Sequence, residues 1–123
     1  MNPELLKYYI ALQPFFRERM GEWRAGDRYT FLHSKEILLV GTRHFHSHAC
    51  GEAIWLPRTI DDSNPEAQKR SLVGMLEDDY VLSESRFEDG NICTCTIDCK
   101  IFEGATPTEA ILRALCAQWE VEI

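Results

Sequence analysis

Apolar positions in this chain recur with two different periods, and the changes between them mark out its elements. Leu5, Leu6, Tyr9 and Leu12, with Tyr8 alongside, follow the three-to-four spacing of a helix with one buried face. Asn2 suits its N-cap, Pro3 its first position, and Glu4 complements the positive end of the helix dipole. Pro14 removes a backbone donor and predicts a kink or restart there. A second piece, Phe15 to Met20, then ends at Gly21.

Strand-forming residues take over at Arg28 to Leu32, turn at Ser34-Lys35-Glu36, and return as Ile37 to Val40. After a histidine-rich stretch, the short apolar run Ala53-Ile54-Trp55-Leu56 stops at Pro57, as an edge strand would. Asn64-Pro65-Glu66 repeats the opening capping chemistry and predicts a helix from Pro65 to about Leu76, weakened near its end by Gly74. Tyr80 to Phe87 and Ile92 to Phe102 read as a hairpin joined at residues 88–91. In its second strand Cys93, Cys95, Ile97, Cys99 and Ile101 fall on one face by period two, opposite Thr94, Thr96, Asp98 and Lys100. The last helix opens on Thr106-Pro107-Thr108-Glu109, a capping box with proline at N1. Ala110, Ile111, Ala114, Leu115 and Trp119 form its apolar stripe, with Gln118 on the wet side. The expected fold is α+β: a mostly antiparallel sheet of two hairpins plus a short edge strand, packed by about three helices, in one domain spanning residues 1–123.

Composition narrows the function classes. Thirteen basic against 20 acidic residues give a formal charge of −7. That balance disfavours the counterion-releasing contact that dominates nucleic-acid binding, and equally adsorption to anionic membranes. A local basic group, Arg17, Arg19, Arg24 and Arg28, is the one feature that favours a phosphate backbone. No apolar run approaches the length of a spanning helix, the N-terminus lacks a basic region, and the cysteine count is odd. Reduced thiols and a cytoplasmic location are the expectation.

Candidate chemistry concentrates at His44, His46, His48 and Cys50. Alternate positions of an extended strand lie roughly 6.6 Å apart, so two or three imidazoles can reach one metal ion, zinc by preference. All four ligands in one shell would need a bent backbone, since the outer pair of a straight strand spans roughly 20 Å. No His-Glu-x-x-His helix accompanies them. The competing reading is a surface loop or edge strand carrying the histidines, with Phe45 and Ala49 turned inward and no cofactor at all. Cys50 beside His48 is the one arrangement resembling a nucleophilic pair, and it lacks a third group. Cys93, Cys95 and Cys99 do not form a redox or zinc site, because a straight strand holds their sulfurs apart and no C-x-x-C occurs. They read as small hydrophobes on a buried face, as does Cys116. The absence of phosphate-binding glycine loops or a nucleophile elbow leaves no catalytic residue to name. Trp55 and Arg58 stand out as a contact element for a protein partner or a second copy of the chain.

Several stretches resemble a family of small, uncharacterised proteins encoded by bacteriophages and prophages. They are Gly21-Glu22-Trp23-Arg24-Ala25-Gly26-Asp27, Ile54-Trp55-Leu56-Pro57-Arg58, Asn64-Pro65-Glu66, and Ala105 through Leu115. The ending is similar to the phage ABA-sandwich proteins, with layers of helix, sheet and helix. The resemblance implies a phage or prophage origin in a bacterial cytoplasm, and the leading expectation is a non-enzymatic accessory protein acting through protein contacts. It carries no catalytic residue.

Overall fold

A computed structural model describes residues 2–32, 36–41, 53–77 and 79–123. Its class is the expected α+β, with three α-helices and two three-stranded antiparallel sheets among the described residues. The strands belong to two sheets rather than one, and the chain divides into two compact units, Met1–Pro57 with Ile123, and Arg58–Glu122.

In the first unit, α1 (Pro3–Met20) runs unbroken for 18 residues, with Asn2 accepting the Glu4 N–H at 2.9 Å as its cap. The restart expected after Pro14 is absent, and Phe15 to Met20 continue the same helix. The proline ring faces outward, and the only carbonyl it deprives of a partner is that of exposed Ile10. Tyr9, Leu12, Phe16 and Met20 supply the buried face, and the helix packs on β3. β1 (Arg28–Thr30) is the central strand, paired with β2 (Leu38–Leu39) through Arg28↔Leu39 and with β3 (Ile54–Trp55) through Tyr29↔Trp55. β3 is therefore at an edge, as Pro57 predicted. Between α1 and β1, the Asp27 N–H returns to the Arg24 carbonyl at 3.0 Å, with Gly26 at the φ of +91° that a type II turn requires.

In the second unit, α2 (Pro65–Lys69) is capped by Asn64, whose side chain accepts the Ala67 N–H at 2.8 Å. It stops seven residues short of the Leu76 expected from sequence. The Leu72 and Val73 amides donate to the carbonyls of Arg58 and Thr59 instead of continuing the helix, and a short 3₁₀ turn follows at Val73–Met75. Gly74 comes so close to the Gln68 carbonyl that no side chain fits there. β4 (Tyr80–Phe87), β5 (Gly90–Ile97) and β6 (Lys100–Gly104) form the second sheet in sequence order.

The long second strand read from sequence is in fact two strands. Asp98 and Cys99, at φ +46° and +61°, make the two-residue turn between β5 and β6, the type I′ geometry that suits the twist of a hairpin. Two turn residues reverse the numbering of the faces. Cys93, Cys95 and Ile97 are buried as expected, whereas Cys99 is an exposed turn residue and Ile101 points to the opposite face. α3 (Pro107–Gln118) covers the cysteine face, with Thr106 accepting the Glu109 N–H at 3.2 Å. Glu109 reaches back one residue beyond the usual capping box, to the Ala105 N–H at 3.0 Å. The helix approaches so closely that a Cβ on Gly104 would lie 2.7 Å from that of Glu109.

Candidate contact surface

Side chains that cross the second sheet in register define its two faces. Toward α3 point Leu82, Cys95 and Phe102 in one row, flanked by Cys93 and Ile97. The opposite face begins with the row Val81, Thr96, Ile101 and continues through Ser83, Thr94, Glu103 to Ser85 and Ile92, ending at Phe87. Val81, Ile101 and Phe87 are 65%, 66% and 60% exposed, and Ile92 is 41% exposed. Glu103 is the single ionisable side chain among these positions, in a chain of which 27% is charged. Ser83 and Thr94 hydroxyls bond one another at 2.7 Å across the strands, so part of the face's polarity is already spent internally. An open face this apolar and this poor in charge matches the composition of surfaces that other proteins cover.

β4 adds a second element. It is an edge strand eight residues long and exposed at every position but half-buried Leu82. Among the described residues no helix packs along it as α1 does along β3. Long exposed edges of this kind are templates for strand addition.

The contact element expected from the sequence is Trp55 with Arg58. The Trp55 indole is 3% exposed, stacked on Trp23 at 3.9 Å between ring centroids and 18° between planes. Tyr29 meets Trp23 edge-on at 5.9 Å, and Phe31 meets Tyr29 likewise at 5.6 Å. The indole therefore belongs to an aromatic cluster inside the first unit and presents no contact surface. Arg58 is half-buried in the second unit, where its carbonyl accepts the Leu72 N–H at 2.8 Å. The basic group is also split. Arg28 turns inward to donate to the Leu56 and Pro57 carbonyls at 3.1 and 3.0 Å, leaving Arg17, Arg19 and Arg24 exposed.

His44, His46, His48 and Cys50 lie outside the described residues, and with them the zinc and nucleophile readings. Among the described residues no three histidine, cysteine or acidic side chains come together to hold a metal ion. Burial raises the Cys93, Cys95 and Cys116 thiols, Cys116 to about 11, with nearby Glu84 adding to the shift at Cys93. Such groups stay protonated and unreactive at neutral pH. No described helix is long and apolar enough to cross a membrane.

Two glutamine side chains organise the units. Gln13 donates to the Trp55 carbonyl and accepts the Trp55 N–H, at 2.9 and 2.8 Å, closing the outer edge of β3. Gln118, expected in water, donates to the Met75 carbonyl and accepts the Glu77 N–H, each at 2.8 Å. Compared with protein-family models, curated proteins and solved structures, the chain shows no significant match to any of the three.

Proposed function

We propose that this is a small accessory protein of prophage origin that acts through protein–protein contact, and that the open face of the second sheet is where contact is made. The observation that carries the contact reading is the set of exposed apolar side chains, Val81, Ile92, Ile101 and Phe87, on one face with one ionisable group. Burying such residues removes apolar area from water at roughly 25 cal/mol per Å², and little charge has to be desolvated in return. The prophage origin rests on the resemblance of the four landmark stretches, which are turns, an edge strand and helix starts.

The double substitution Ile92→Asp with Ile101→Asp tests the reading. Both side chains point away from α3, so the fold survives the change. Cross-linking in the native host is expected to join wild-type protein to a defined partner through this face, and the double variant is expected to lose that product. Unchanged cross-linking by the double variant would remove the open face from the account. The genes flanking this one provide the separate check on origin, with phage structural or regulatory genes expected beside it.

A further inference from the structure

The free edge of the second sheet carries a charge pattern complementary to itself. β4 holds one acidic and one basic residue, Glu84 and Arg86, and is locally neutral in a chain of charge −7. The two point to the same face, where their charged groups lie 3.8 Å apart, and both are exposed. When an antiparallel strand meets a copy of itself across a two-fold axis normal to the sheet, the order of the charges reverses. An axis through Ser85 sets Glu84 opposite the partner's Arg86 and Arg86 opposite the partner's Glu84. The same register brings Phe87 opposite the partner's Ser83 and diagonal to the partner's Val81, within the roughly 7–8 Å that an aromatic side chain spans. Moving the axis to Glu84 would oppose two carboxylates directly, and moving it to Ser83 would place each glutamate against the partner's Leu82. Like charges directly opposite destabilise a strand pair, and opposite charges stabilise it by roughly 0.2–1 kcal/mol each.

We propose that the partner at this edge is a second copy of the chain. Two β4 strands pair antiparallel over Ser83–Phe87, joining the sheets into one of six strands. This assignment rests on the contact reading above and names the partner for its edge. It also brings Val81 and Phe87 of both copies together at the middle of the enlarged open face. Backbone pairing supplies the attraction, and the Glu84–Arg86 crossing supplies the register.

Charge reversal tests the register without disturbing the fold, because both side chains are exposed. By light scattering the full-length wild type is expected at the mass of two chains. E84R and R86E, each with two like charges on the edge, are expected to weaken dimerisation about tenfold or more. The double variant E84R/R86E restores alternation and is expected to dimerise as wild type. Mixing the two single variants is expected to give a heterodimer, since one edge then carries two arginines and the other two glutamates. A monomeric wild type, a dimer indifferent to the single reversals, or a monomer that instead takes an extended segment of another protein along β4 would each overturn the proposal. None of these results touches the contact reading, which falls only if Ile92→Asp with Ile101→Asp leaves cross-linking unchanged.

Discussion

Gln13, Gln68 and Gln118 are the only glutamines in the chain, and each side chain accepts a main-chain N–H from a segment that lacks a regular partner. A glutamine amide offers a donor and an acceptor side by side, as a strand edge does, on a stem long enough to reach from a helix. Gln13 is the most consequential because it is buried and satisfies both main-chain groups of Trp55, while also bonding the Tyr9 carbonyl at 2.9 Å. Its substitution by alanine leaves an N–H and a carbonyl buried without partners. Loss of about 2–3 kcal/mol is expected from urea denaturation, since each orphaned group costs roughly 1–3 kcal/mol before relaxation. A change below about 0.5 kcal/mol, the usual surface-substitution range, would show that water replaces the amide at no cost. The signal was present in the sequence: Gln13 lies four residues after Tyr9 and three before Phe16, inside the apolar stripe. A polar residue there either breaks the stripe or is held by a buried partner, and periodicity alone does not choose.

At the scale of elements, the turn at Asp98-Cys99 decides which residues of β6 meet α3 and which meet solvent. Cys99 adopts φ +61° at some cost, because a Cβ is disfavoured in the left-handed region where glycine is at ease. Cys99→Gly is therefore expected to stabilise the protein by roughly 0.5–1 kcal/mol, read as a higher urea midpoint. A lower midpoint would mean that the thiol contributes more than its backbone strain removes. The same turn explains what was legible in the sequence and what was not. Asn2, Asn64 and Thr106 cap the helices where their residue types predicted, because capping is chemistry between neighbours. Hairpins were legible for the same reason, as was the burial of Cys93, Cys95 and Ile97. The end of α2 and the split of the last strand were not. The first depends on the Arg58 and Thr59 carbonyls, more than ten residues upstream of the amides they accept. The second depends on an Asp-Cys pair without the glycine that usually announces such a turn. The burial of Trp55 was hidden for a similar reason: an aromatic beside a basic residue, Trp55-Leu56-Pro57-Arg58, resembles a binding element until Trp23 stacks on the indole from 32 residues away. Val81 and Ile101 were invisible as a pair because their row exists only once β5 lies between them.

For the molecule as a whole, the division at Pro57 and Arg58 makes a prediction about cooperativity and about pH together. The bonds that join the parts of the second unit are internal to it: Thr59 to Thr108 at 2.6 Å, Leu72 to Arg58, and Gln118 to Met75 and Glu77. Ala110, Ile111, Leu112, Ala114 and Leu115 of α3 are all fully buried, which gives this unit a core. A fragment spanning Arg58–Glu122 is expected to unfold cooperatively by circular dichroism, with a modest midpoint, since a chain this short buries only about 60% of its unfolded surface. The raised thiols Cys93, Cys95 and Cys116 all lie in it. In the unfolded chain a thiol titrates near its ordinary value of 9.0, while Cys116 in the folded unit holds its proton to about 11. Between those values the unfolded state binds fewer protons, so stability is fully present below about pH 9 and falls as pH rises toward 11. Tyr9, which burial also raises from its ordinary 10.0, adds a loss to the first unit that begins as pH passes 10. Urea midpoints of the fragment and of the full chain are thus expected to decline from pH 9 upward. Cys116→Ala should flatten that decline in both while lowering stability at neutral pH. A fragment with no cooperative transition at pH 7 would show that residues 1–57 are required for the second unit to fold. An alkaline decline that ignores Cys116→Ala would place the titrating group elsewhere.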